Sequence, residues 1–314
     1  MKNEILQKRM SNTGLGAKLK WLFSDWQLYI LLLPALIYVF IFRYIPIYGV
    51  QIAFKDFRAD LGIWGSRWVN LQHFKRFITF PNFWFILWNT ASLGLYSLAT
   101  FPCSIIFALG LNEITNLKFK KIIQMISYAP HFLSVVVVCS MVRLFLARET
   151  GVLNHIISFL GHERMEFMTI ASAFRHIYIW SGVWQGIGWG AIIYLAALSG
   201  VPVENIEAAK IDGASRFQIV RYINIPHIMP TIMILLILRC GDILTVGFEK
   251  ILLLQTPLNL SKSQVISTYV YELGLKSAQF SYASSIGLFD TTINVLILLL
   301  VNSIAKKMTS ISIW

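Results

Sequence analysis

The sequence predicts an all-α membrane protein with six transmembrane helices. Its 314 residues are 56% hydrophobic and only 13% charged, which leaves too little polar surface to cover a water-soluble globule of this size. Apolar stretches of about 20 residues, long enough to cross a bilayer, alternate with breaks that carry charge, proline or glycine. These two observations place the chain in a membrane.

The predicted spans can be delimited one by one. They cover residues 28–47, 83–111, 122–146, 174–198, 228–254 and 284–304. The second span contains Pro102, which a membrane helix tolerates. The chain then divides into a segment of residues 1–27, a membrane domain of residues 28–306 that includes a polar loop at 201–227, and a tail of residues 307–314.

Lysine and arginine residues indicate the orientation of these helices. Two short basic clusters, at 118–121 and 306–307, lie on the same side of the predicted membrane as residues 1–27 and the 201–227 loop. The opposite loops contain further cations, so these two clusters decide the bias. By the positive-inside rule, we expect both termini and the 201–227 loop in the cytoplasm.

The chain lacks the patterns of several function classes. Its formal net charge of +12 does not indicate a nucleic-acid partner, because the cations are scattered over both sides and form no basic stripe with interleaved aromatic residues. Cys103, Cys139 and Cys240 lie inside predicted spans, without the spacing of metal ligands. The sequence also has no G-x-x-x-x-G-K-[ST] phosphate loop and no G-x-S-x-G or H-E-x-x-H pattern. We therefore expect no active site, metal or cofactor in this chain.

The polar loop contains a stretch, EAAKIDGASRFQIVRYINIPHIMP, that is unusually regular for a connection between two spans. Pro202 is suited to the start of a helix, and Glu204 and Glu207 favour its first turns through the helix dipole. The good helix formers that follow end at Gly213. A first short helix is therefore predicted between Pro202 and Gly213.

A second helix is predicted directly after the glycine. Ser215 and Gln218 have the spacing of a capping box, and Pro226 is expected to end the helix near the membrane. Two short helices joined at Gly213 form an alanine-lined projection with Glu207 as a charged handle. Such a surface suits docking to another protein, whereas an ordinary connecting loop is the less structured alternative.

This stretch resembles the EAA loop of ABC importer permeases. The residues that carry the resemblance are Glu207, Ala208, Ala209, Asp212, Gly213, Ala214, Phe217, Ile223, Pro226 and Pro230. Further stretches resemble the polysaccharide or aldouronate-type permeases of bacterial carbohydrate importers, and the resemblance extends from the first span to the C-terminus. These stretches are RYIPIYGVQIAFKDF (43–57), SYAPHFLSVVVV (127–138), IGWGAIIYLAALSGVPVENIEAA (187–209), VGFEKILLL (246–254) and QFSYASSIGLF (279–289).

The resemblance implies a type I ABC importer permease fold with a cytoplasmic EAA coupling helix. In such a complex this chain pairs with a second permease subunit and contacts two ATP-binding subunits, which bind the ATP and magnesium. An extracellular sugar-binding lipoprotein delivers an oligosaccharide or polysaccharide fragment. The resemblance also assigns the contact with the ATPase to the coupling residues, namely Glu207, Ala208, Ala209, Asp212, Gly213 and Ala214.

The expected substrate site lies at the depth of the bilayer midplane, about ten residues from each helix end. On the fourth span this depth corresponds to Gln185, Gly186 and Trp189, and on the fifth to Arg239 and Asp242. Ionisable groups at that depth need a partner or a cavity, so Arg239 and Asp242 are either a mutual ion pair, or sugar-binding groups, or both. Carbohydrate permeases of the family implied by the resemblance place sugar contacts midway along these two helices.

Aromatic and small residues on the fourth span have two interpretations each. Trp189 suits the floor of a sugar site, although tryptophan in membrane proteins more often marks the interface. Gly182, Gly186 and Gly190, spaced four residues apart, form a small-residue stripe that is typical of close helix packing.

Two other function classes remain for comparison. A secondary transporter working without an ATPase would show an inverted repeat with broken helices in each half, and the sequence indicates neither. A membrane enzyme or sensor would need a catalytic constellation or a signalling domain. The expected function is therefore that of a non-catalytic permease subunit in an ATP-driven importer.

Overall fold

The structure, a computed structural model, describes residues 26–309 and is predominantly helical. Most of the expected N-terminal segment, residues 1–25, and the last part of the expected tail, residues 310–314, lie outside the described residues. In the first half, the elements are α1 (Trp26–Val39), β1 (Lys55–Asp56), α2 (Gly62–Gly65), β2 (Arg67–Trp68), α3 (Gln72–Ile78), α4 (Phe83–Ala99), α5 (Pro102–Asn112), α6 (Leu117–Tyr128), α7 (Val135–Leu146) and α8 (Val152–Phe159). In the second half, they are α9 (Ala171–Leu198), α10 (Val203–Ile211), α11 (Arg216–Ile219), α12 (Ile225–Gly241), α13 (Phe248–Leu254), α14 (Leu260–Ser263), α15 (Ile266–Tyr271) and α16 (Phe280–Thr309). Strands β1 and β2 pair antiparallel.

Within residues 26–309, five helices are long and apolar enough to cross a membrane. They are Trp26–Phe54, Phe83–Asn112, Ala171–Leu198, Arg216–Gly241 and Phe280–Lys307. A bent pair, Leu117–Phe132 and Val135–Leu146, makes the sixth span when its two parts are counted together, and the helix direction changes by 106° between them. The predicted all-α membrane fold with six spans is therefore confirmed, with the third span broken in the middle.

The break in the third span has a local cause. Pro130 lies in the short 3-10 helix Ala129–Phe132, and Ser134 then starts α7 as its N-cap by accepting a hydrogen bond from the Val137 N–H at 3.3 Å. The backbone just before the break lies beside α9, because a Cβ on Gly188 would lie only 2.3 Å from the Ser127 carbonyl oxygen. The break thus lies opposite the middle of the fourth span.

The fifth span differs from the prediction at both ends. Its helix runs over Arg216–Gly241, so Pro226 does not end the second helix of the polar loop as expected. A π-helical turn, Val220–Asn224, precedes the proline, and the Ile225 N–H donates to the Val220 carbonyl. This wider turn accommodates a residue that has no N–H of its own, so the helix continues. The predicted end of the span, 242–254, is instead a short connection followed by the separate helix α13.

The buried core consists of three clusters along the bundle. One joins α4, α7, α9 and α13 around Phe174, Ile179 and Ile251, and a second joins α5, α9 and α12 around Ala191 and Ile228. A third joins α3, α4, α15 and α16, and Phe77 of α3 is part of it. Helix α9 contributes to the first two clusters, and the stretch between Ile179 and Ala191 separates them. A cavity lies along that stretch.

Candidate functional site: a coupling segment and a cavity along the fourth span

The first helix, the glycine turn and the capping box of the coupling segment, residues 201–227, form as the sequence predicts, whereas its second helix is the start of the fifth span. Pro202 is the N-cap residue of α10, and Gly213 turns the chain with a φ of 78°, in the left-handed region that glycine adopts at least cost. The capping box is present: the Gln218 N–H donates to Ser215 Oγ at 3.3 Å, and the Ser215 N–H donates to Gln218 Oε1 at 2.7 Å. These caps satisfy backbone donors at a helix start that other elements do not cover.

The coupling segment presents both charged and apolar groups. Glu207 is exposed, and none of the ion pairs found within residues 26–309 involves it. Ala208, Ala209 and Asp212 line an open groove of about 510 Å³ between α10 and the start of the fifth span. Sequence reasoning missed the apolar tip of the segment, where two large side chains are freely accessible: Ile211 is 87% exposed and Phe217 is 77% exposed.

A cavity of about 610 Å³ lies between the fourth and fifth spans and the junction of α4 and α5. That junction interrupts the second span at Thr100 and Phe101, next to Pro102, and both of these residues line the cavity. A smaller space of about 140 Å³ adjoins it and shares the Arg239 and Asp242 side chains. The walls are therefore built from helix ends and breaks that are far apart in the sequence.

Four of the five predicted substrate residues line this cavity. They are Gln185, Gly186, Arg239 and Asp242. Trp189 does not line it: its ring stacks on His131 at the break of the third span, with the ring centroids 4.3 Å apart and the planes 4° from parallel. Gln185 also contacts this break, because its Nε2 donates to the Leu133 carbonyl at 3.2 Å.

Arg239 and Asp242 are not a mutual ion pair in the part of the chain that the structure describes. The Arg239 guanidinium donates instead to the Ser97 hydroxyl on α4, and Asp242 is exposed at the C-terminal end of α12. Of the two interpretations left open by the sequence, the pairing of these two charges with each other is therefore absent. Both side chains line the cavity, where a ligand can contact them.

The glycine stripe on the fourth span has two structural roles. A Cβ on Gly190 would lie 2.7 Å from Ser104 Oγ, so this glycine allows the close helix packing that the spacing predicts. A Cβ on Gly186 would meet no atom within 4 Å, because Gly186 faces the open cavity. Gly182 lies next to a cation, since its Cβ would be 3.2 Å from Lys250 Nζ.

Sequence reasoning missed several polar residues of the cavity wall, among them Ser97, Tyr178 and Lys250. For Lys250 a signal was present, because a cation within the apolar run 248–254 is costly unless it has a function. Ser97 and Tyr178 carried none, since hydroxyls and aromatic rings are ordinary in membrane helices. No group of three or more potential metal ligands occurs within residues 26–309.

The chain matches a family of transport proteins. Residues 100–310 match the model of the family described as binding-protein-dependent transport system inner membrane component. A polygalacturonan/rhamnogalacturonan transport system permease, YteP of Bacillus subtilis (strain 168), is 42% identical over 281 residues, which cover 89% of this chain and 88% of YteP. Protein LplB of the same organism is 41% identical over 296 residues, with 93% of each chain covered.

A solved structure shows the same architecture. It is a chain of a bacterial ABC transporter involved in the import of the acidic polysaccharide alginate, with 38% sequence identity and a TM-score of 0.86, and the match covers 93% of this chain and 99% of that one. A second structure of a bacterial alginate ABC transporter, in complex with a periplasmic protein that holds an alginate pentasaccharide, matches with a TM-score of 0.85. The type I importer permease fold is confirmed, and the chain belongs to the family of binding-protein-dependent transport system inner membrane components, as a non-catalytic permease subunit of an ABC importer.

Proposed function

We propose that this permease forms half of the translocation pathway for an oligosaccharide or a polysaccharide fragment. The observation that carries the proposal is the cavity on the fourth and fifth spans, whose wall includes the polar side chains of Gln185, Arg239 and Asp242 beside Gly186. Amide, carboxylate and guanidinium groups bind sugar hydroxyls well, and a concave site with few polar groups is the usual form of a small-ligand site. The relatives named above, permeases for polygalacturonan/rhamnogalacturonan and for alginate, support the same substrate class.

Trp189 takes an indirect part in this proposal. Its stack on His131, together with the bond from Gln185 to Leu133, fixes the break of the third span against α9. Irregular backbone at membrane depth persists only where protein or a water-filled space covers it. Trp189 then acts as a positioning residue for the cavity wall, and the sugar contacts belong to the four residues that line the cavity.

The coupling segment is proposed to receive the energy for transport. Its candidate contact residues, Glu207, Ala208, Ala209, Asp212, Gly213 and Ala214, lie on an accessible projection with an apolar tip, which suits insertion into a cleft of an ATP-binding subunit. Movement of that subunit would be transmitted through the continuous helix Arg216–Gly241 to Arg239 and Asp242 at its far end.

The proposed complex requires further subunits, for ATP binding and for the other half of the pathway. Since the sequence contains no phosphate loop, ATP and magnesium bind to two partner subunits, and a second permease completes the pathway. An extracellular binding lipoprotein supplies the oligosaccharide. Both termini and the coupling segment lie in the cytoplasm of a bacterial cell, as the basic clusters at 118–121 and 306–307 indicate.

The proposal is tested by uptake of labelled oligosaccharide into proteoliposomes that contain the whole complex and its binding protein. Asp242→Ala and Gln185→Ala should each raise the concentration for half-maximal uptake about tenfold, the effect of losing about 1.4 kcal/mol of binding free energy. Ser303→Ala, an exposed position on α16 that does not line the cavity, serves as the control for reconstitution. If both cavity variants transport with unchanged rate and concentration dependence, the substrate site lies outside this cavity.

A further inference from the structure

Lys250, which sequence reasoning did not single out, occupies a defined position on the cavity wall. It lies on α13, the short helix that follows the fifth span, and its Nζ donates to the Tyr178 carbonyl at 2.9 Å. The ammonium group also lies 5.0 Å from the centroid of the Tyr178 ring, within the range of a cation–π interaction. Tyr178 is itself held, because the Gly247 N–H donates to its hydroxyl at 2.9 Å. Tyr178 therefore fixes the position of the ammonium through both its carbonyl and its ring.

The charge of this ammonium is not compensated by a carboxylate. Within residues 26–309, no Asp or Glu oxygen lies within ion-pair distance of Lys250. An ammonium has three N–H donors, and the Tyr178 carbonyl accepts from one of them. The cavity wall carries a second cation, Arg239, and a single anion, Asp242. The cavity wall therefore carries a net positive charge, and its ammonium has N–H donors available for a ligand.

The neighbouring helix leaves room for this cation. Gly182 of α9 lies opposite Lys250, and a Cβ at that position would approach Nζ to 3.2 Å. One turn further along, a Cβ on Gly186 would meet nothing within 4 Å. The absence of side chains at these two positions joins the ammonium to the open part of the cavity, so a ligand that fills the space beside Gly186 can reach Lys250.

A cation at membrane depth is stable when a counter-charge or water meets it, and a ligand that displaces the water must supply the counter-charge. A neutral sugar supplies only hydroxyl dipoles, whereas a uronic-acid residue supplies a carboxylate that forms short, charge-assisted hydrogen bonds with an ammonium. We propose that Lys250 binds a carboxylate of the transported glycan, so that this cavity selects acidic oligosaccharides, with Gly182 providing the space for the ammonium. This inference rests on the proposed function, since it names the substrate class of the same site.

The test measures binding to the complete complex of permeases and ATP-binding subunits in nanodiscs, without the binding protein, whose own preference would otherwise dominate. The two probes are trigalacturonate and its fully methyl-esterified form, which have the same sugars but differ in charge. Wild-type complex should bind the acid about tenfold more tightly than the ester, and Lys250→Met should reduce this ratio to about one by weakening acid binding alone. Lys250→Arg should keep a preference for the acid.

A second lysine provides the matched control. Lys276 also lies over a tyrosine ring, with its Nζ 5.5 Å from the Tyr271 centroid, but it does not line the cavity. Lys276→Met should leave the acid-to-ester ratio at its wild-type value. If Lys250→Met does not assemble, Gly182→Ala provides the measurement, because its added methyl displaces the ammonium by a few tenths of an ångström and should lower the ratio severalfold.

The outcomes separate the role of Lys250 from the preference for acidic glycans and from the proposed substrate site. A wild-type ratio near ten that Lys250→Met leaves intact overturns the role of Lys250. Equal binding of acid and ester by the wild type overturns the selection of acidic glycans but leaves an oligosaccharide site in place. Binding of neither probe, together with Asp242→Ala and Gln185→Ala variants that transport normally, overturns the proposed site as a whole.

Discussion

The coupling segment and the cavity differ in how the chain builds them. The coupling segment is one continuous stretch, residues 201–227, whose turn and caps are set by neighbours in sequence, as in the reciprocal bonds between Ser215 and Gln218. The cavity wall takes Ser97, Gln185, Arg239 and Lys250 from four separate helices. Local rules therefore suffice to describe the first region, whereas the second exists only once the helices have packed.

The two regions also differ in their surroundings. The tip of the coupling segment is accessible and touches little of the rest of the chain, so its shape depends on backbone preferences and caps. Residues of the cavity wall are held by long-range contacts, such as the bond from Gln185 to Leu133 and that from Lys250 to Tyr178. Changes to backbone conformation should therefore act strongly in the coupling segment, and changes to side-chain volume should act strongly in the cavity.

The largest effect is expected from filling the cavity. Gly186→Leu adds a branched side chain where a Cβ would meet no atom within 4 Å, so the helix bundle can accept it without strain while the pathway narrows. Uptake of oligosaccharide into proteoliposomes should fall below about a tenth of the wild-type rate. The thermal unfolding midpoint of the purified complex should stay within a few degrees of wild type, which distinguishes blockage from misfolding.

A glycine two residues further along provides the opposite case. Gly188→Ala places a methyl group 2.3 Å from the Ser127 carbonyl oxygen, which forces the third span away from α9. Overpacking of this kind typically costs about 1–3 kcal/mol, so this variant should lose stability and have only an indirect effect on uptake. If Gly188→Ala leaves the unfolding midpoint unchanged and Gly186→Leu lowers it, the assignment of packing and cavity roles along α9 is reversed.

The next effect concerns backbone conformation in the coupling segment. Gly213 has a φ of 78°, and a β-branched residue forced into that region costs about 1–2 kcal/mol, equivalent to a factor of roughly 5–30 in a conformational equilibrium. Gly213→Val should therefore reduce substrate-stimulated ATP hydrolysis about tenfold. Gly213→Asn should retain most of it, because asparagine tolerates the left-handed region.

Gly161 gives this prediction a matched control in another part of the molecule. It has a φ of 83°, and, as at Gly213, a Cβ there would meet nothing within 4 Å. Gly161→Val therefore introduces comparable strain in the connection between α8 and α9, away from the coupling segment. Equal losses of stimulated ATP hydrolysis in the two valine variants would show that strain anywhere in the chain has this effect, and would remove the special role of Gly213.

The same contrast explains what the sequence could predict. Six spans follow from hydropathy, and the capping box and the glycine turn follow from residues that are adjacent in the chain, so these predictions were confirmed. The extent of the fifth span was wrong on two counts. Pro226 was expected to end a helix, but a π-helical turn lets the helix continue past it. The apolar run up to residue 254 predicted a single span, whereas its last part forms the separate helix α13.

The depth of each residue along its own predicted span predicted only part of the cavity wall. It identified Gln185 and Gly186, which lie near the middle of the fourth span, and Arg239 and Asp242, which were counted to the middle of the predicted span 228–254 but lie at the C-terminal end of the observed helix. It also selected Trp189, which has the right depth but faces the break of the third span. Which neighbouring helix a side chain faces depends on tertiary packing, and it cannot be predicted from the depth of the residue or from its type.

The smallest effect should come from removing single capping hydroxyls. Ser215→Ala leaves the Gln218 N–H without its side-chain acceptor at an exposed helix start, which typically costs about 1 kcal/mol, and stimulated ATP hydrolysis should fall about two- to fivefold. The matched change is Ser134→Ala at the N-cap of α7, which likewise removes one bond of 3.3 Å. That helix start is also held by the Gln185 bond to Leu133 and by the stack of His131 on Trp189, so activity should change by less than about twofold. A larger loss for Ser134→Ala than for Ser215→Ala would mean that the break of the third span depends on its cap, and that the distinction between a locally built and a tertiary-built region does not hold there.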